Sequence, residues 1–144
     1  MTPSVADSWA RIETWLARHT PRAFAALEPP AEPSAVAEAE EALGQPFPAS
    51  LRESLLRHNG TGYQALLPPF WMLLDVRRIV DSRQLRMRIY GDDLADREEG
   101  DPESEYGPWW HAEWIPYVVG GLVSVTRRIE RPRDAGCGLW VPAL

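Results

Sequence analysis

Proline placement constrains this chain more than any other feature. Thr20-Pro21, "EPPAEP" (28–33), "QPFPAS" (45–50) and "LPPF" (67–70) interrupt its first half four times. A proline inside a helix removes a backbone donor and clashes with the preceding turn, so only short helices joined by stiff links fit between these points. Asp7 is placed to cap a helix through about His19, with Trp9, Ile12, Trp15 and Leu16 spaced as one apolar face. Phe24 and Leu27 continue that face past the break. Ser34 offers a second cap to the alanine- and glutamate-rich run 35–43, and Gly44 is a natural left-handed stop. In "LRESLLRHNG", Leu51, Leu55 and His58 share a face and Asn59-Gly60 closes the helix.

The period then changes. A short apolar, aromatic run from about Phe70 to Leu74 reads as a strand, and Asp75 caps a helix over 76–90 with Val76, Ile79, Val80 and Met87 near one face. Arg77, Arg78, Arg83, Arg86 and Arg88 spread around the rest of it without forming a stripe. We therefore read this as a solvated helix and not as a nucleic-acid element. Residues 91–108 read as a long polar loop. "WIPYVV", "LVSVTRRI" and "LWV" are the later strands, with Gly120-Gly121 as a turn and "RPRDAGCG" as a looser connection.

A length of 144 residues, 44% of them apolar and seven of them tryptophan, is enough for one domain with a real core. No window of about 18 apolar residues exists, and the first residues carry charges at helical spacing where a signal peptide would be apolar. A cytoplasmic protein is expected. The single cysteine, Cys137, has no intramolecular disulfide partner. All 15 basic residues are arginine, which we read as genomic base composition in preference to a functional demand. Residues 91–108 hold Asp92, Asp93, Asp96, Glu98, Glu99, Asp101, Glu103 and Glu105 against Arg97, a local −7 within a net −6, so the remainder stands at +1. That balance argues against nucleic-acid and anionic-membrane partners, which need a clustered positive field.

Chemistry motifs are missing. His19, His58 and His111 lie far apart with no cysteine or carboxylate at metal-ligand spacing, and no GxSxG, P-loop or GxGxxG is present. No metal, cofactor or catalytic residue is expected. The acidic run has no apolar context to raise a carboxyl pKa and reads as a solvated face. "PWWHAEWIPY" (108–117) offers two readings: His111 with Glu113 as an acid/base couple framed by indoles, or an anchor for the fold. Read as a strand, it puts Trp110, Ala112 and Trp114 on one side and His111 and Glu113 on the other. Indoles bury roughly 150–250 Å² each, which favours the anchor.

Four segments in order resemble the SUKH superfamily, the proteins related to the yeast cell-wall assembly regulator and killer-toxin resistance protein. "SWARIETWLARHTPRAFAALEPPA" resembles the family's opening helix and its "L-x-P-P-A" link. "AVAEAEEALGQPFPASLRESLLRHNG" is similar to its acidic helix, "L-G", apolar-proline pair and leucine helix ending in His-Asp/Asn-Gly. "LLPPFWMLLDVRRIVDSRQLR" and "WWHAEWIPY" resemble its next two steps. The likeness covers about residues 8–119 of a single domain spanning 1–144. It implies an α+β fold with N-terminal helices packed on a mostly antiparallel sheet, no catalytic residues, and a fold-defining role for Trp110, His111, Trp114, Ile115 and Pro116.

The ending departs from the family pattern. Gly120-Gly121 remains, but the aspartate-rich strand that should follow is replaced by "LVSVTRRIERPRDAGCGLWVPAL". Either a divergent ending or a reading-frame shift is expected from about Leu122; coding DNA in which neither alternative frame restores the acidic motif would eliminate the frameshift. The resemblance implies a protein-binding module. One form is an immunity-type neutraliser of a bacterial toxin domain, binding through the acidic run by charge complementarity. The other is an intracellular regulator or scaffold with a peptide or small-ligand groove. Oligomeric state is not legible.

Overall fold

Ser4, not Asp7, starts the first helix. The Ser4 hydroxyl accepts the Asp7 N–H at 3.0 Å and donates to the Asp7 carboxylate at 2.7 Å, a reciprocal closure that puts Asp7 in the first turn. In this computed structural model the described residues are 3–66, 71–96, 110–120 and 123–128. Helix α1 spans Val5–His19, and α2, Pro21–Ala25, follows the break at Thr20. The apolar face of α1 is narrower than its spacing suggests. Trp9 and Leu16 are buried, but Trp15 is 56% exposed and Phe24 41%. Adjacent helical residues point about 100° apart, so burying Leu16 turns Trp15 outward.

Helix α3, Pro33–Leu43, begins on its own proline, which corrects the expected Ser34 cap. Proline suits the first helical position because its φ is preset and that N–H has no partner anyway. Gly44 ends α3 at φ +67. Helix α4, Ala49–Arg57, stops at an extended His58, and Gly60 turns the chain at φ +80.

Strand β1 is Trp71–Leu73, shorter than the expected 70–74; Phe70 lies outside the described residues. Leu74 follows the strand yet still donates its N–H to Tyr117 at 2.9 Å. Helix α5, Val76–Asp96, outruns the expected end at residue 90 and takes Asp92, Asp93 and Asp96 out of the presumed loop. A single glycine inside a helix costs only about 1 kcal/mol, and Leu94 and Ala95 favour continuation past Gly91. The N-terminus of α5 is capped twice: Asp75 Oδ1 accepts the Arg78 N–H at 2.8 Å, as its position suggested, and Asn59 Oδ1 accepts the Val76 N–H at 2.9 Å.

Strands β2, Trp114–Gly120, and β3, Val123–Arg128, complete an antiparallel sheet of order β1-β2-β3. Gly120 belongs to β2, while Gly121 and "LWV" lie outside the described residues. Residues 110–113 are not strand, which overturns the alternation expected for the tryptophan motif. Instead the Trp114 N–H bonds back to the His111 carbonyl at 3.0 Å, closing a turn before β2. The central strand tolerates Pro116 because the register shifts between Pro116 and Val118, leaving Tyr117 unpaired with β3.

The core forms where α3, α4 and α5 meet β2. Val36, Leu43, Phe47, Leu55, Leu74, Ile79 and Ile115 pack together there, with Val36 and Ile79 fully enclosed. Thr61 is fully buried as well, and its hydroxyl donates to the Gln64 carbonyl and accepts the Leu73 N–H. Helices packed on an antiparallel sheet make this an α+β fold.

Candidate functional site

The acidic run divides between helix and undescribed chain. Asp92 is exposed near the end of α5, the backbone of Asp93 and Asp96 is helical, and Glu98, Glu99, Asp101, Glu103 and Glu105 lie outside the described residues.

The tryptophan motif packs beside α5. Trp110 is 1% exposed, and its indole N–H points at Met87 Sδ, 3.2 Å away. The Arg86 guanidinium sits 5.7 Å from the Trp110 ring centre, and Trp114 meets that ring edge-on at 6.0 Å. Arg86 also bonds the Ser82 carbonyl and hydroxyl, while Arg83 donates to the Ala112 carbonyl. Burial draws both guanidinium groups down from their usual pKa, so they hold their charge here at a desolvation cost. Two of the five dispersed arginines therefore position the motif, a role that the sequence spacing did not reveal. Ile115 and Pro116 are buried beneath.

His111 and Glu113 do not form an acid/base couple in this geometry. His111 Nδ1 accepts the backbone N–H of Glu113 at 3.2 Å, and its ring lies 6.1 Å from that of Trp114. The indole N–H of Trp114 and Nε of Arg83 are buried without partners among the described residues.

A second assembly joins α1 to the end of α4, through residues more than forty positions apart. Both Nε and an Nη of Arg57 donate to the Glu13 carboxylate, at 2.7 and 2.6 Å, a bidentate pair. His58 lies between two acceptors, with Nε2 2.9 Å from Glu13 and Nδ1 2.7 Å from the Glu28 carbonyl. Both contacts are filled together only when each ring nitrogen carries a proton. The Arg57 hydrogen bonds, joined by smaller contributions from His58, hold the Glu13 carboxyl at a pKa of about 2 against the opposing effect of its partial burial. The His58 ring leans on Trp9 at 4.7 Å, and the Trp9 indole donates to the Ser54 hydroxyl at 2.9 Å.

Beside this network lies a cavity of about 290 Å³ between α1, α4 and the sheet, with Trp9, Leu51, Leu55, Leu74, Ile115 and Tyr117 among its walls. Its lining is mainly apolar, and the Ser8, Ser50 and Ser54 side chains and His58 supply polar positions. Neither cavity nor network was legible in the sequence, because no local spacing links residues 9–13 to 54–58. Among the described residues no group of three or more His, Cys, Asp or Glu could hold a metal ion, and no helix is long and apolar enough to cross a membrane.

Comparison with known proteins agrees with the fold. No curated protein matches the chain. The model of the SMI1 / KNR4 family (SUKH-1) matches residues 30–121, from the proline link before α3 to the end of β2. With nearly two thirds of its length matched, over α3, α4, β1, α5, β2 and the tryptophan motif, the chain belongs to the SMI1/KNR4 (SUKH-1) family.

Proposed function

We propose that this protein is a non-catalytic, single-domain binding module of the immunity type, which neutralises a cognate toxin domain. The observation that carries the reading is the concentration of −7 in residues 91–108 of a chain otherwise at +1. A localised acidic surface steers association with a basic partner and imposes specificity more than it adds raw affinity. Membership in the SUKH-1 family supports a protein partner, and the exposed Asp92 extends the acidic run onto the last turns of α5. In this reading Trp110, His111, Trp114, Ile115 and Pro116 define the fold, and Asp92 to Glu105 meet the partner.

The test is a pull-down from the native host at low salt, with mass spectrometry of the retained proteins. A stoichiometric partner carrying a toxin domain is expected. Changing Asp92, Asp93, Glu98 and Glu99 to arginine should then slow its association at least about tenfold while circular dichroism stays unchanged, as expected when steering charge is lost. Association kinetics that do not move would remove the acidic run from the interface.

The apolar cavity favours a second reading, an intracellular regulator or scaffold that takes a peptide or small ligand. Trp9 lines that cavity, so ligand entry there would change tryptophan fluorescence, a change that Trp9→Phe should remove.

A further inference from the structure

The exposed side of α1 carries the opposite charge to the acidic run. Arg11, Trp15 and Arg18 follow one another at i, i+4 and i+7, so they share one face, and Arg22 stands exposed at the start of α2. Trp15 leaves more than half of its surface in water, and the His19 ring lies against it at 4.8 Å. A depression opens on each side of the indole. One, of about 490 Å³, is bounded by Ile12, Leu16 and Leu66; the other, of about 420 Å³, by Ala10, Thr14 and Arg18, and Arg11 borders both.

The acids of α1 do not neutralise this face. Glu13 points away to Arg57 and His58, and Asp7 is bound by the Ser4 hydroxyl at the helix start. Among the described residues no carboxylate lies within ion-pair distance of Arg11, Arg18 or Arg22. Among the described residues, Arg11 and Arg18 thus flank an exposed indole without a carboxylate partner, in a chain of net charge −6. Tryptophan and arginine are the residues that most often dominate binding energy at protein interfaces. The face is too small, and the chain too acidic, for the broad positive field that nucleic acid requires.

We propose that this face docks an acidic segment of a partner protein, with carboxylates on Arg11, Arg18 and Arg22 and an apolar side chain seated beside Trp15. This interaction is separate from the reading above, because it requires a partner of the opposite charge and uses none of the acidic run.

The test uses the full chain and a dye-labelled synthetic peptide, EEYEELEE, followed by fluorescence anisotropy at low salt and again at about 0.15 M salt, where surface charge is screened within about 8 Å. The expected result is saturable binding that weakens with salt. Arg11→Glu with Arg18→Glu, and separately Trp15→Ala, should each weaken it about tenfold or more, the scale of a hot-spot loss. All these side chains are exposed, so the fold should persist; Arg18→Ala alone serves as the readout if the double variant does not fold. Equal binding by wild type and variants would overturn the proposal, as would no binding to wild type. Tighter binding of an oligothymidylate of the same charge would overturn it in favour of nucleic acid. Self-association that these substitutions abolish and the peptide does not displace would overturn it in favour of a second copy of this chain.

Discussion

Asn59, at the end of the α4 segment, accepts the backbone N–H of Val76 through its side-chain oxygen at 2.9 Å, and so caps a helix seventeen residues further along the chain. The His-Asn-Gly step thus does more than end α4: it fixes where α5 begins. Removing that acceptor leaves a partly buried helix N–H unpaired, which costs about 0.5–2 kcal/mol. Asn59→Ala should lower the urea midpoint accordingly. Asn59→Asp should retain most of the stability, since a carboxylate also accepts the bond and suits the positive end of the helix.

Gly60, one residue later, has no room for a side chain. At φ +80, an added Cβ would meet Asp75 N at 2.7 Å, Leu73 O at 2.8 Å and Leu74 C at 2.9 Å, all of them backbone atoms. Gly44 has a similar left-handed φ with nothing within 4 Å. Gly44→Ala should therefore cost only the conformational penalty, about 1–2 kcal/mol. Gly60→Ala should cost clearly more, and equal midpoints for the two in thermal denaturation would contradict the close approach.

Glu13 titrates well below its ordinary value, so its sign is that of a depressed carboxyl. The stabilisation is complete above about pH 4.5 and disappears as the pH falls towards about 2. Glu13→Gln should be less stable than wild type at pH 6, and the gap should close across that window. Half-exposed Arg57 lets salt weaken the pair, so the gap at pH 6 should also shrink at high ionic strength. A gap that stays constant from pH 6 to pH 2 would show that the contact does not depend on the carboxylate charge.

Trp110 combines full burial, a sulfur acceptor and an arginine over its face. Trp110→Ala should destabilise the fold by about 3–5 kcal/mol, the usual range for removing a buried indole. Met87→Leu keeps the volume and removes only the sulfur contact, so its loss should stay below about 1.5 kcal/mol. Chemical denaturation of the two variants, side by side, separates the contribution of packing from that of the N–H···S contact.

Proline and glycine positions, apolar spacing and local charge settled a large part of this protein before any contact was known. The breaks at Pro21 and at Glu28 to Pro33, the stop at Gly44, the cap at Asp75 and the succession of short helices before the first strand all depend on backbone chemistry within a few residues. Errors arose where local preference is weak or where burial decides. Gly91 did not end α5, because one glycine costs less than continuing a favourable helix gains, and Trp15 faces water because Leu16 took the buried side. The tryptophan motif forms a turn and not a strand before Trp114, where Arg83 and Arg86 of α5 hold it. Helix α1, which lies outside the matched family segment, is joined to it by Trp9–Ser54 and Glu13–Arg57. Such pairings between distant residues leave no periodic signal, and only the folded chain brings together the cavity, the ion pair and the exposed arginine face.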